Sequence, residues 1–130
     1  MSADRLWLGK SGARYPFSLP GEFRSASIVG VGGVYMFVKP VPVGAWLPIY
    51  IGSADDLSVR LSDHERQAEA IEMGATGVMI HVVSEKTARE SEEWDLIRLW
   101  CPALNPHPIP ADGIAALIRA RRRVPFRSRT

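Results

Sequence analysis

The 130-residue chain has a single cysteine, Cys101, which cannot close an internal disulfide. A stapled secreted scaffold and a cysteine-based metal cluster are therefore excluded, and a reducing cytoplasm is the expected compartment. Long apolar runs are also missing: the longest reach only about ten residues before Gly or Pro breaks them, too short to cross a bilayer. Asp4 and Arg5 near the N-terminus have no apolar stretch behind them, so neither a membrane span nor a signal peptide is expected. No glycine-rich phosphate loop joins a strand to a helix, because the Gly30–Gly33 cluster opens a strand instead, which argues against a doubly wound nucleotide fold. What is present, 46% apolar and 23% charged residues, suits one soluble globular domain with a real core.

Acidic residues are absent from the last twelve positions. Residues 1–118 hold ten Lys/Arg against fourteen Asp/Glu, whereas Arg119, Arg121, Arg122, Arg123, Arg127 and Arg129 follow without a counter-charge, for a net charge of +2. Such asymmetry points to a polyanion contact made by the tail. A solvated, disordered tail that only aids solubility accounts for the same composition.

Residues 1–32 mix Gly, Pro and Ser with isolated aromatics (Trp7, Tyr15, Phe17, Phe23) and show no sustained period, which predicts an irregular arm with one short strand near Ile28–Val31. Gly33–Lys39 is rich in β-branched and aromatic residues and pairs with Ile49–Gly52 through a long turn containing Pro40, Pro42, Gly44 and Pro48. From Ser53 the period changes. Ser53 and Asp56 make a capping-box-like start, and Leu57, Leu61, His64, Ala68 and Ile71 recur at helical spacing, predicting one helix over about residues 54–73. Gly74 and Gly77 stop it, and Val78–Val83 reads as a central, well-buried strand. Thr87 with Glu90 opens a second helix carrying Trp94, Leu96, Ile97, Leu99 and Trp100, which Pro102 closes. The order is β-β-α-β-α, followed by a PHPIP connector and a short helix over about residues 112–123. These elements allow a small three-stranded sheet with helices packed on it, an α/β (α+β) architecture.

Arg60 and His64 are four residues apart, one helical turn, and His64 falls on an otherwise apolar stripe. A hydrogen-bonded core histidine explains that placement; an anion-binding pair aimed at a cleft explains it as well, since guanidinium grips phosphate bidentately and imidazole moves a proton near neutral pH. Glu93 shares a helix face with Ile97 and Trp100, and a buried acid there needs a partner or a metal. On pattern alone, Glu92 and Glu93 read more simply as solvated positions in an acid-rich stretch. Tyr35 and Tyr50, one in each strand of the hairpin, read as routine cross-strand aromatics.

Taken together, these residues form a pattern that resembles the GIY-YIG nuclease superfamily. Gly33-Val34-Tyr35 stands for the first signature, with Val in place of Ile, and Tyr50-Ile51-Gly52 reproduces the second. Arg60 follows ten residues beyond Tyr50, and His64 four residues later. Glu93, Pro102 and Asn105 fall within E-x-x-L-I-x-x-x-x-P-x-L-N. The resemblance covers about residues 33–105 and joins five separated elements in order. It implies a GIY-YIG fold, a three-stranded antiparallel sheet flanked by helices, and it divides the chain into an N-terminal arm (1–32), a nuclease domain (33–105) and a connector, short helix and basic tail (106–130).

By that resemblance the chain is a metal-dependent endonuclease that hydrolyses DNA phosphodiester bonds. Glu93 would hold one Mg²⁺ or Mn²⁺. Tyr35 would position or activate water and hand its proton toward His64, Arg60 would stabilise the pentavalent phosphorane, and Tyr50 would orient water or phosphate. Gly33, Gly52 and Asn105 would support the site, and Arg119, Arg121, Arg122, Arg123, Arg127 and Arg129 would contact DNA. The chain departs from the family in its long Pro-rich connector and in showing no recognisable second domain for target choice. DNA is the expected partner, with no membrane; one metal centre cuts one strand per visit, so double-strand cleavage calls for a homodimer or two visits. The competing reading is a catalytically silent GIY-YIG module that binds DNA or another protein.

Overall fold

Residues 1–32, expected as an irregular arm, contain a hairpin in the computed structural model, which describes residues 5–18, 20–21 and 29–106. Strands β1 (Arg5–Leu8) and β2 (Arg14–Phe17) pair antiparallel, Trp7 opposite Tyr15. Four residues per strand offer too few alternations for a period-two signal, and Pro16 obscures it further. Burial holds the hairpin: Trp7 and Phe17 lie in the core, and Trp7 meets Trp100 edge-on at 5.0 Å. The strand expected near Ile28–Val31 does not form at its described residues. Val29 and Gly30 make a turn, and the Val31 carbonyl accepts from the Leu57 N–H at 2.8 Å.

The β formers of Gly33–Val41 make β3, Ala45–Ala54 makes β4 and Gly77–Val82 makes β5, an antiparallel sheet in the order β4-β3-β5. Six consecutive residues, 33–38, are buried because both faces of β3 are covered. The central place therefore belongs to β3, not to the apolar run over 78–83. That run is an outer strand whose far side is bonded by Ser18 N–H to the Ile80 carbonyl (2.9 Å) and by Gly21 and Val78, which exchange two bonds of 2.9 and 3.0 Å.

The Pro-rich segment is not a long turn. β3 and β4 run through it, Pro40 opposite Trp46 and Val41 opposite Ala45, and only the 3₁₀ turn Pro42–Gly44 remains, with Gly44 at φ +71°. Pro48 is tolerated because it falls at a β-bulge opposite Phe37 and Val38, where no ladder bond is required of it. The same bulge lets the consecutive Ile49 and Tyr50 pack into one cluster.

The helix expected over 54–73 is two short helices, α1 (Leu57–Ser62) and α2 (Gln67–Glu72). Ser53 stays in β4, and Asp56 is the residue that caps α1, accepting from the Ser58 and Val59 amides. The break has a local cause. The Arg66 amide donates to His64 Nδ1 at 3.0 Å, a side-chain bond that competes with the helical one. Helix α3 spans Lys86–Trp100 and ends before Pro102 as expected, but its cap is Glu85, accepting from the Ala88 amide, rather than Thr87. Its acids are not simply solvated: Glu92 is buried against His81 (2.8 Å), and Asp95 is buried with bonds from Tyr15 and Ser11.

Two cores flank the sheet. The β1–β2 hairpin and α3 cover one face with Trp7, Phe17, Met36, Ile51, Leu96 and Ile97. The other face holds Tyr35, Phe37, Ile49, Leu57, Leu61 and Ala70 beneath α1 and α2. Among the described residues no helix is long and apolar enough to cross a membrane. The C-terminal helix and the six tail arginines expected over 107–130 lie outside the described residues.

Candidate active site at the Gly52 edge

Tyr35 in β3 pairs with Gly52 in β4, and a Cβ on Gly52 would stand 2.5 Å from the Tyr35 hydroxyl. The missing side chain is what lets the phenol lie across the neighbouring strand toward the sheet edge. Gly33 serves a similar end, since a Cβ there would strike the His81 carbonyl on β5. Tyr35 is 1% exposed, and its hydroxyl is 2.6 Å from His64 Nε2. The rings of Tyr35, Phe37 and Tyr50 surround His64 edge-on, with centroids 5.4, 4.8 and 5.1 Å from it. His64 thus sits in the elbow between α1 and α2 and not, as expected, on a continuous helix with Arg60.

The proton on His64 can be located. The Arg66 amide can only donate, so Nδ1 is an acceptor, and the neutral ring carries its proton on Nε2. Nε2–H therefore donates to the Tyr35 oxygen. Burial, followed by the nearby Arg60 charge, lowers the His64 pKa to about 4, so the ring is neutral at pH 7. Tyr35 is displaced upward, first by burial and then by Tyr50, while Arg60 pulls it down and Glu93 adds a smaller push upward.

Arg60 on α1 turns its guanidinium to Glu65, with Nη1–Oε1 2.8 Å and Nη2–Oε2 2.9 Å. On the opposite face of β4, Ser53 donates to Glu93 Oε1 at 2.6 Å, while Oε2 has no hydrogen-bond partner among the described residues. Burial raises the Glu93 pKa, with the Ser53 bond opposing it. Tyr35 meets Gly52 from one face of β4, with His64, Tyr50 and Arg60 gathered around its ring and hydroxyl, and Glu93 meets Ser53 from the other face. Asn105 supports them: its amide oxygen accepts from Ile51 N–H and its amide nitrogen donates to Ile51 O, both at 2.8 Å, so one side chain completes the outer side of β4 as a neighbouring peptide would.

Among the described residues no group of three or more His, Cys, Asp or Glu is arranged to hold a metal. Mg²⁺ does not need one, because it keeps several waters and takes one or two carboxylates with substrate phosphates. Glu93 suits that role: one oxygen is oriented by Ser53, the other takes no bond among the described residues, and the desolvated carboxylate gains from a cation. Sequence reasoning treats Ser53 as a capping residue and passes over Glu65, whose reach to Arg60 depends on the elbow.

Neither a family model nor a curated protein matches the chain. Solved structures do. The GIY-YIG N-terminal endonuclease domain of UvrC from Thermotoga maritima, as an asparagine-to-alanine point mutant bound to its catalytic divalent cation, matches at 27% identity and a TM-score of 0.50, covering 62% of this chain and 88% of that one. The chain shares the fold of that GIY-YIG domain. The magnesium-bound form of the same UvrC domain matches at 28% identity over 61% of this chain and 88% of that one, with a TM-score of 0.49. The GIY-YIG sheet of three antiparallel strands is the one described above, and the resemblance read from the two signatures and their spacing is borne out at the level of the superfamily.

Proposed function

We propose that this GIY-YIG domain is an endonuclease that hydrolyses DNA phosphodiester bonds with one divalent cation. The observation that carries the reading is the convergence of Tyr35–His64, Arg60 and Ser53–Glu93 on the Gly52 edge of a fold shared with a cation-bound endonuclease domain. Arg60 supplies a two-pronged donor for the scissile phosphate. Glu93 would hold Mg²⁺ or Mn²⁺, which when bound neutralises charge developing on the phosphate and leaving oxygen.

Tyr35 is neutral at pH 7 and receives His64 Nε2–H, so its own O–H is free to orient the attacking water. His64 is not a proton acceptor in this state, contrary to the relay expected from the resemblance. His64 and Arg60 are instead two donors that stabilise negative charge on the Tyr35 oxygen if it ionises. Tyr50 closes the aromatic wall beside His64. The tail arginines supply sequence-independent affinity for DNA, and a repair or recombination setting suits such a domain.

The test is cleavage of supercoiled plasmid by purified protein with Mg²⁺, Mn²⁺ or chelator, beside Glu93→Ala and a parallel gel shift. Metal-dependent nicking that Glu93→Ala abolishes, with DNA binding retained, is the expected result. DNA binding without cleavage of plasmid, flapped or branched substrates would instead favour a silent binding module.

A further inference from the structure

Arg60 is already engaged, by Glu65, fork to fork, in the arrangement a guanidinium makes with phosphate. The pair is open to solvent, with Arg60 32% and Glu65 63% exposed, so little holds it against a competing anion. Glu65 belongs to the elbow between α1 and α2. His64, beside it, is fixed by Tyr35 and by the Arg66 amide, whereas the Glu65 carboxylate is held by Arg60 and, beyond that, by its own backbone N–H. The next pair, Arg66–Glu69, differs in kind: it spans one turn at the start of α2 and is joined by a single 2.7 Å bond.

We infer that Glu65 is an internal stand-in for the scissile phosphate, filling the Arg60 fork in the free protein until a phosphodiester displaces it. This rests on the reading of Arg60 as the phosphate donor. Glu65 acts through Arg60 and is therefore a positioning residue. It keeps the guanidinium extended near the Tyr35 hydroxyl, whose pKa the Arg60 charge lowers, and it sets a threshold that weakly bound anions do not cross. The sign of its effect is distinctive. Breaking a merely structural ion pair lowers stability, whereas removing a competitor raises affinity.

The experiment is titration calorimetry of the full chain in chelator, so that nothing is cut, with a short DNA duplex and separately with inorganic pyrophosphate. Glu65→Gln is expected to bind both about two- to fivefold more tightly than the wild-type protein. Asp63→Asn removes an equal charge from the same elbow without touching Arg60 and is expected to give a smaller gain. In an Arg60→Ala background the benefit of Glu65→Gln should vanish, and in cleavage assays Glu65→Gln should lower KM by a larger factor than it changes kcat. Equal affinities for wild type and Glu65→Gln, an equal gain from Asp63→Asn, or a gain that survives Arg60→Ala would each overturn the inference. Pyrophosphate bound more tightly by Glu65→Gln, with duplex bound by neither protein, would uphold Glu65 as the occupant of Arg60 while removing DNA as the substrate.

Discussion

The Tyr35 hydroxyl oxygen accepts a hydrogen bond from His64 Nε2–H rather than donating one to it, because the other nitrogen of that ring is committed to the Arg66 amide. A histidine held in this way must be neutral. It ties the elbow between the two short helices to the middle strand of the sheet, and any charge placed on it costs the fold stability.

Acid should therefore loosen the protein through His64. The folded pKa is about 4 against 6.5 for the free side chain, so the depressed value belongs to the native state. Its stabilising contribution is complete above pH 6.5 and is lost as the pH falls toward 4, by up to about 3 kcal/mol. Urea midpoints of the wild-type protein should drop across that window by more than those of His64→Leu. Parallel curves would assign the acid sensitivity to other groups.

Gly52→Ala should damage the site without touching a polar group. The added methyl meets the Tyr35 hydroxyl and ring, both buried, and overpacking of this kind costs about 1–3 kcal/mol. Denaturation should register that loss, and plasmid nicking should fall further than the residual fold predicts, because the phenol is pushed off His64. A stable, fully active Gly52→Ala would mean that Tyr35 has room elsewhere.

Asn105→Ala leaves the Ile51 N–H and C=O without their partners in a buried position. Each orphaned group costs about 1–3 kcal/mol, and the Ile51 amide should exchange its hydrogen faster than those of Met36 and Phe37 in the neighbouring strand. Unchanged exchange at Ile51 would show that water replaces the amide at no cost.

Deleting residues after Ile118 removes six arginines and no acid. DNA affinity should weaken and its dependence on salt should flatten, by close to one counterion for each phosphate that the shortened chain no longer neutralises, while turnover at saturating DNA stays nearly constant. An unaltered salt slope would free the tail of any role in binding.

The two signatures, Arg60, Glu93 and Asn105 are legible because each is a residue type at a set spacing, and the β-β-α-β-α order because hydrophobic periods change where the chain changes form. The elbow is not. Leu57, Leu61, Ala68 and Ile71 keep a helical rhythm across it, and the bond that breaks the helix, from the Arg66 amide to a His64 ring nitrogen, leaves no periodic trace. Glu92 and Asp95 look solvated for a related reason: their partners His81, Tyr15 and Ser11 lie 11, 80 and 84 residues away in the chain. Pattern reports a residue's neighbours in sequence, and burial of an acid is decided by neighbours in space.

Both rims of the three-stranded sheet are occupied by something other than a strand. Asn105 and the Leu104 amide take the outer bonds of Ile51 and Ile49, and Ser18 and Gly21 take those of Ile80 and Val78. At these residues no row of open peptide groups is left to template another copy, so these stretches of the rim are guarded against edge-to-edge aggregation. A second copy meeting these rims would accordingly find side chains and loop backbone there and not an open strand to extend.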